Sequence, residues 1–289
     1  MHAEQLDTDV ELARRLVASQ FPEWGSLPVE AVTERGTDNA LYRLGEDKVV
    51  RLPTRPRTSL TLEKERRWLP RLGPFLPLAV PEPLRVGEPG EGYPFAWSIY
   101  RWLPGTSAIE APIADLRRAA VDLAGFITAL HRMDTTGGPP PGEHNFGRGE
   151  PLANRDEAVR AVLRDRDLVA LWEEALAAPG WDQPPVWIHG DLDARNLLVE
   201  DGRIAAVIDF GSLGVGDPAC EVMVAWKLFR GESRDLFRRE LAVDDATWAR
   251  ARGWALSQAV IALGYYTTET NPVLVGEAQK WLEELVADA

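Results

Sequence analysis

The sequence lacks the features that are typical of disulfide-bonded, membrane-spanning or secreted proteins. Cys220 is the only cysteine among 289 residues, which excludes an internal disulfide and suits a reducing cytoplasm. No apolar run reaches the roughly 18 residues of a transmembrane helix. The N-terminal segment MHAEQLDTDVELARR lacks the apolar centre of a signal peptide. The sequence therefore predicts a cytoplasmic protein without a membrane partner.

Basic residues are too few for nucleic-acid binding to be expected. Lys and Arg number 32 against 45 Asp and Glu, giving a net charge of -13, whereas a phosphate backbone is bound by a basic surface. The acidity could attract a cationic small molecule or could serve solubility alone, and charge does not decide between the two. The hydrophobic content of 45% is enough for one or two domains.

The clearest motifs lie between Val186 and Asp217, in the stretch VWIHGDLDARNLLVEDGRIAAVIDFGSLGVGD. Two β-prone runs, Leu197–Val199 and Ala205–Ile208, flank the turn Asp201-Gly202, and this pattern predicts a β-hairpin. An apolar segment, residues 186–188, leads into the loop before the hairpin. Polar side chains before and after the hairpin are therefore expected at one end of a small sheet.

Those polar side chains are Asp191 and Asn196 before the hairpin and Asp209 after it. Phosphoryl transfer uses this combination, because one Asp accepts the proton of the attacking hydroxyl while an Asn and a later Asp hold Mg²⁺ on the nucleotide. We interpret Asp191 as the base and Asn196 and Asp209 as metal ligands. A turn rich in Asp, Asn and Gly is the simpler alternative, but it does not explain the whole pattern.

The motif HGDLDARN resembles the catalytic loop of the aminoglycoside phosphotransferase family, and IDFGSLGVGDPA resembles that family's metal-binding segment. The resemblance implies an α+β, two-lobed, protein-kinase-like fold. A small N-terminal lobe (residues 1–104) would carry an antiparallel sheet and one key helix. A larger, mostly helical lobe (residues 105–289) would carry the catalytic loop, the metal site and the acceptor pocket.

In the N-terminal lobe, strands are predicted at Val29–Arg35, Ala40–Leu44 and Lys48–Leu52. The turn between the first two contains Gly36, Thr37 and Asn39 and resembles the family's nucleotide-covering hairpin. Backbone N–H groups there could bind phosphates, although an ordinary hairpin turn would have the same composition.

Arg51 occupies the strand position where the family usually has the lysine that binds the α- and β-phosphates. Arginine can bind phosphate oxygens with two nitrogens. Lys48 is the alternative cation, but strand alternation turns it to the opposite face. In the following helix, LTLEKERRWLPRL, Glu65 falls within the apolar stripe and Glu63 does not. A carboxylate on an apolar face requires a cation, and we predict that Glu65 pairs with Arg51.

The strand that ends in Leu-Pro-Gly resembles the hinge between the lobes. The backbone of Arg101 and Leu103 would pair with a purine edge, and Tyr100 would lie at the back of the purine pocket. Aromatic bulk at this position resembles the pattern in GTP users of the family. ATP is the expected donor and GTP the alternative.

The second lobe is predicted to be largely helical. Periodic segments indicate helices at Ile113–Met133, Ala158–Ala177, from Asp217 onward, Thr247–Tyr266 and Pro272–Val286. Within the catalytic loop, His189 is expected to hydrogen-bond the backbone. Asp193, Arg195 and Arg148 are expected to border the acceptor.

By resemblance, the chain would be an Mg²⁺-dependent kinase that phosphorylates a hydroxyl of a small-molecule antibiotic, giving resistance or self-protection. Other interpretations stay open at this point. They are a metabolic kinase of the same fold acting on an amino alcohol, homoserine or a sugar, a nucleotide-binding pseudokinase, and a metal hydrolase using His189 and Asp191. The sequence does not choose between a monomer and a dimer.

Overall fold

Residues 6–32 and 39–288 are described by a computed structural model, and their contacts divide the chain into two units. The first unit extends to Gly105 and also includes Ala206–Gly211, while the second comprises Thr106–Ala205 and the residues from Ser212 onward. The segment 206–211, which contains Asp209, therefore belongs to the first unit and not to the second as the sequence predicts.

The first unit begins with a helix, α1 (Val10–Gln20), whose start is fixed by a side-chain cap. The Asp9 carboxylate accepts a hydrogen bond of 2.7 Å from the amide of Leu12, which satisfies one of the free N–H groups of the first turn. The remaining elements are β1 (Val29–Ala31), β2 (Asn39–Leu44), β3 (Lys48–Pro53), α2 (Pro56–Leu72), β4 (Pro83–Gly87) and β5 (Trp97–Arg101).

The five strands of this unit form one antiparallel sheet in the order β1-β2-β3-β5-β4. Strand β3 is central, and its residue Arg51 lies opposite Leu41 on one side and Ser98 on the other. Buried side chains of α1, including Leu16, pack with those of the sheet, including Trp97, to form the core. A residue at the middle of β3 is therefore held by neighbours on both sides.

Strand β4 is not predicted from the sequence, because it lies in a proline-rich stretch. Pro83 is its first residue, a position at which a missing N–H is tolerated. Gly87 ends the strand opposite Trp97, and a Cβ at Gly87 would lie 2.1 Å from the Trp97 ring. The large indole is thus accommodated because the facing residue has no side chain.

The second unit is built mainly of helices. They are α3 (Leu116–His131), α4 (Asp156–Val162), α5 (Arg166–Ala177), α6 (Ala219–Val222), α7 (Val224–Leu228), α8 (Glu232–Leu241), α9 (Asp245–Tyr265) and α10 (Pro272–Ala287). Its strands are β6 (Thr106–Ser107), β7 (Val186–Ile188), β8 (Leu197–Glu200), β9 (Arg203–Val207), whose last two residues belong to the first unit, and β10 (Gly214–Gly216). In the part of the chain that is described, no helix is both long and apolar enough to cross a bilayer.

Two features of the helical unit differ from prediction. The segment predicted as one helix, Ala158–Ala177, is two helices, because Leu163 is extended and Asp165 caps a new helix by accepting the amides of Asp167 and Leu168. Helix α8 is not predicted at all. The predicted hairpin, by contrast, is present as β8 and β9.

Helix α9 is buried on all sides along its middle, as expected for a helix that is apolar all round. It packs against α4, α5, α6 and α10. Gly253 permits its close approach to α5, since a Cβ at this position would lie 2.6 Å from the Cβ of Ala175. Gly125 of α3, by contrast, is exposed, and a Cβ there would meet no atom within 4 Å.

These two helical glycines give a matched test of the packing. Alanine favours a helix interior over glycine by about 1 kcal/mol, so Gly125→Ala should stabilise the protein by up to that amount. Gly253→Ala should instead destabilise it by about 1–3 kcal/mol, because the added methyl overpacks the contact with α5. Urea unfolding of both variants measures the difference, and equal stabilisation by both would contradict the close approach.

Candidate active site

A buried ion pair lies between the central strand and the helix of the first unit. Glu65 of α2 is fully buried, and Arg51 Nη1 donates to its Oε2 at 2.8 Å and to its Oε1 at 3.0 Å. The predicted pair is therefore present. Glu63 lies on the other side of the helix, paired with Arg66 and exposed, as the helical periodicity indicates.

Tyr100 joins this pair, because its hydroxyl donates a hydrogen bond to Glu65 Oε2. Burial raises the pKa of Tyr100, so the phenol keeps its proton as a donor. Burial acts most strongly on the pKa of Arg51 and would lower it. The charge of Glu65, together with smaller contributions from Tyr100 and Asp209, outweighs burial, so the pKa of the guanidinium is raised above its usual range. Glu65 thus fixes both a cation and a phenol that project from neighbouring strands.

Asp209 lies in the turn that follows β9, within the first unit. Its φ of 61° is left-handed, a conformation that Asp tolerates better than most residues. The side chain is 54% exposed, and its Oδ1 lies 3.8 Å from Arg51 Nη2. Lys64 Nζ donates to the Gly211 carbonyl at 2.7 Å, and burial lowers the pKa of Lys64 to about 8. Helix α2 therefore holds the segment that carries Asp209.

The structure also shows where the other cation of β3 and the residues of the predicted hinge lie. Lys48 turns away from Arg51 and pairs with Asp47 at 2.6 Å. The N–H of Arg101 already donates to the Glu82 carbonyl at 2.9 Å, so a purine contact there would have to use the Arg101 carbonyl. Leu103 lies two residues beyond the end of β5, and its contact with a purine stays a prediction.

The predicted phosphate-binding turn is described only at its last residue. Gly36 and Thr37 lie outside the described residues. Asn39 begins β2, and its Oδ1 is buried without a hydrogen-bond partner among the residues that are described.

In the second unit, strand β7 delivers the loop that carries Asp191 and Asn196. Asn196 Nδ2 donates to the Asp191 carbonyl at 2.8 Å and lies 3.4 Å from Asp191 Oδ2. The amide of Asp191 donates to His189 Nδ1 at 3.2 Å, and His189 is fully buried. His189 therefore shapes the loop, as predicted, and its imidazole does not project from the loop as a hydrolase ligand would.

Glu221, to which the sequence motifs assign no role, binds the backbone at the start of this loop. The Glu221 carboxylate on α6 is fully buried and accepts hydrogen bonds from the amides of His189 at 3.1 Å and Gly190 at 2.8 Å. Gly190 has a φ of 83°, and a Cβ there would lie 2.8 Å from the Ser212 carbonyl oxygen. Only glycine fits this position.

Two guanidinium groups flank Asp191, whose side chain is 27% exposed. Arg148 Nη2 lies 3.6 Å from Asp191 Oδ1, and its Nε donates to the Gly190 carbonyl at 2.8 Å. Arg195 Nη2 lies 4.0 Å from Asp191 Oδ2. Arg148 and Arg195 are thus close to the predicted base, one on each of its carboxylate oxygens.

Asp193 does not reach a surface where an acceptor could bind. Its side chain is 1% exposed and pairs with Arg195 and Lys227. Burial acts to raise the pKa of Asp193, but these two cations hold it well below the usual range. The location argues against the predicted substrate contact and indicates that Asp193 supports the loop from beneath.

The donor atoms present suit Mg²⁺. Among residues 6–32 and 39–288, no three His, Cys, Asp or Glu side chains cluster closely enough to hold a metal by themselves. Mg²⁺ does not require such a cluster, since it keeps several waters and uses one or two carboxylates together with phosphates. The Asn196 amide nitrogen faces Asp191, so its Oδ1 is the atom available to a cation. In the first unit, the carboxylate of Asp209 is an exposed oxygen donor of the kind that Mg²⁺ prefers.

Comparison with known proteins identifies a family and a fold. The model of the APH phosphotransferase enzyme family matches residues 31–254. Hygromycin-B 4-O-kinase from Escherichia coli is 28% identical over 167 residues, which are 50% of this chain and 46% of that protein. The aligned part of the chain spans about half the length of the curated relatives it matches.

Solved structures resemble the whole chain. The GDP complex of wild-type aminoglycoside 2'-phosphotransferase-IIIa has a TM-score of 0.72 at 18% identity, covering 98% of this chain and 100% of that one. Macrolide 2'-phosphotransferase MphH from Brachybacterium faecium has a TM-score of 0.66 at 24% identity, covering 94% and 97%. These similarities confirm the predicted α+β, kinase-like fold.

The buried ion pair of the first unit predicts that two cationic side chains of β3 contribute differently to the free energy of unfolding. Arg51→Met would leave Glu65 buried without its cation and should lower the free energy of unfolding by about 3 kcal/mol. Lys48→Met should change it by less than about 1 kcal/mol, since the partner of Lys48 is exposed. Denaturant unfolding of the two variants measures both values, and a larger loss for Lys48→Met would contradict the assignment.

Proposed function

This chain belongs to the APH family of phosphotransferase enzymes, and we propose that it transfers the γ-phosphoryl group of a nucleoside triphosphate to a hydroxyl of a small-molecule antibiotic. The observation that carries the proposal is the loop in which Asp191 is partly exposed, oriented by Asn196 and His189 and flanked by two arginines. Most phosphoryl-transfer catalysis consists of positioning and electrostatic stabilisation, and this loop provides both.

In the proposed reaction, the acceptor hydroxyl oxygen attacks the γ-phosphorus. The bond from that phosphorus to the oxygen bridging it to the β-phosphate breaks, and the nucleoside diphosphate leaves. The hydroxyl proton passes to the Asp191 carboxylate, which is the only carboxylate of its loop with an exposed side chain because Asp193 is buried. Arg148 and Arg195 lie beside the Asp191 carboxylate and orient it before the transfer.

We assign Asn196 and Asp209 as ligands of Mg²⁺, through one amide oxygen and one carboxylate. The ion, when bound, neutralises charge on the transferring phosphates. The left-handed backbone at Asp209 and the bond from Lys64 to Gly211 orient the carboxylate. The bond from Asn196 to the Asp191 carbonyl orients the amide.

Arg51 is the proposed cation for the α- and β-phosphates, and Glu65 holds it in place. Its second nitrogen, Nη2, points toward Asp209 at 3.8 Å, so Arg51 presents positive charge on the side of the proposed metal ligand. A lysine could not bind Glu65 with one nitrogen and extend a second toward a phosphate, and arginine can.

The proposed acceptor class is a natural-product antibiotic, of aminoglycoside or macrolide type. The names of the similar proteins support this class, because they include a hygromycin-B kinase and a macrolide phosphotransferase. Phosphorylation would inactivate the compound, which gives resistance or self-protection. The donor is proposed to be ATP, with GTP as the alternative.

The role of the base is tested by Asp191→Asn. We expect kcat for phosphoryl transfer to fall by roughly two to four orders of magnitude, the usual contribution of a general base, while the nucleotide KM changes little. Asp201→Asn is a matched control, since Asp201 lies in the exposed hairpin turn with a positive φ that Asn also tolerates. A kcat for Asp191→Asn close to that of the control would remove Asp191 from the mechanism.

The choice of donor is tested at Tyr100. If the bulk of the ring holds the purine outward, Tyr100→Met should raise kcat/KM for ATP relative to GTP. Tyr100→Phe is the control, because it keeps the ring but removes the hydroxyl bonded to Glu65. An unchanged ratio in Tyr100→Met, or an equal change in Tyr100→Phe, would show that ring bulk does not select the nucleotide.

A further inference from the structure

A buried lysine lies beneath the catalytic loop, and neither the sequence motifs nor the proposed mechanism gives it a role. Lys227 is on α7, and its side chain is fully buried. Its Nζ donates to the Leu192 carbonyl at 3.3 Å and to Asp193 Oδ2 at 3.4 Å. Removing two charges from water is costly even when they pair, so such a pair is a poor source of stability alone. The contacts of Lys227 indicate that the pair has a role other than stabilising the fold.

The partner carboxylate connects Lys227 to a residue beside the base. Asp193 Oδ1 accepts from the Arg195 amide at 2.9 Å and from Arg195 Nε at 3.0 Å, while its Oδ2 pairs with Arg195 Nη2. The Asp193 carbonyl also accepts the amide of Asn196 at 3.0 Å. One buried carboxylate therefore fixes both the backbone and the guanidinium of Arg195, which lies 4.0 Å from Asp191.

The ammonium group of Lys227 also contacts helix α10. Lys227 Nζ lies 4.4 Å from the centre of the Trp281 ring on α10, a distance at which the ring face attracts a cation. Trp281 is itself buried. A continuous chain of contacts thus runs from Trp281 through Lys227, Asp193 and Arg195 to Asp191.

We propose that Lys227 is a positioning residue of the catalytic loop, which acts through the Leu192 carbonyl and Asp193 to hold Arg195 beside Asp191. This inference rests on the proposed function, because it assigns Lys227 to the loop that carries the base. Loss of Lys227 would release the Leu192 carbonyl and leave Asp193 with one cation. The loop would then shift, and displacements of about 1 Å at a reacting group cost up to about a hundredfold in rate.

The test compares Lys227→Met with Arg234→Met. Arg234 is a matched control, because it is also buried in this unit and pairs with two carboxylates, Glu284 and Asp288. Its hydrogen bonds and ion pairs within the described part of the chain go to these carboxylates and to carbonyls of residues 225 and 229, outside the loop. Both variants should lose stability. At temperatures well below each melting point, Lys227→Met should lose about ten- to a hundredfold in kcat with little change in nucleotide KM, whereas Arg234→Met should keep the wild-type kcat. Lys227→Arg, which retains a buried cation, should recover part of the lost kcat.

Amide hydrogen exchange supplies a readout that does not depend on turnover. Lys227→Met should accelerate exchange at residues 191–196 beyond the change seen in Arg234→Met. If the wild-type chain transfers phosphate to no acceptor, the proposed function fails, while the exchange data still decide the positioning role. Wild-type kcat and unchanged loop protection in Lys227→Met would overturn the inference.

A double variant covers the case in which Lys227→Met does not fold. Asp193→Asn combined with Lys227→Met removes both buried charges together, which proteins commonly tolerate. The inference predicts that this variant folds with reduced kcat and faster loop exchange. A double variant with wild-type kcat would overturn the positioning role.

Discussion

The shape of the loop that carries Asp191 depends on two hydrogen bonds, which two backbone N–H groups donate to the buried carboxylate of Glu221. The amides of His189 and Gly190 point into the protein to reach this carboxylate, and Asp191 follows them immediately. Burial raises the pKa of Glu221, which marks the cost of enclosing the group. That cost is offset because the two amides would otherwise be buried without partners. The backbone of the loop is therefore held by a buried carboxylate, while the side chain of Asp191 stays partly exposed.

A buried carboxylate also holds hydrogen-bond donors in the first unit. Glu65 is as buried as Glu221, but it accepts from the side chains of Arg51 and Tyr100 instead of from backbone amides. In each unit a helix supplies the buried carboxylate and the neighbouring segment supplies the donors. Such arrangements are rigid because an unpaired charge in a low-dielectric interior is costly. Rigid donors suit phosphoryl transfer, in which positioning and preorganised charge provide most of the catalysis.

Local patterns in the sequence predict much of this architecture. The phase of Glu65 on the apolar face of α2 and the hairpin around Asp201-Gly202 depend on neighbours within a few residues, and both are present. Glu221 and Lys227 could not be assigned, because their partners lie more than 30 residues away and become neighbours only on folding. Asp193 illustrates the same limit: its motif position suggests an exposed substrate contact, and only the packing of α7 beneath the loop makes it buried.

The proposed function is the Mg²⁺-dependent phosphorylation of a hydroxyl of an antibiotic. The direct measurement incubates the protein with ATP or GTP labelled at the γ-phosphate and with a panel of aminoglycosides, macrolides, amino alcohols, homoserine and sugars. For an antibiotic kinase we expect label to enter at least one antibiotic, with one phosphoryl group gained per modified hydroxyl, and chelation of Mg²⁺ to abolish the transfer. Label found only in the metabolites, or released only to water, would contradict it.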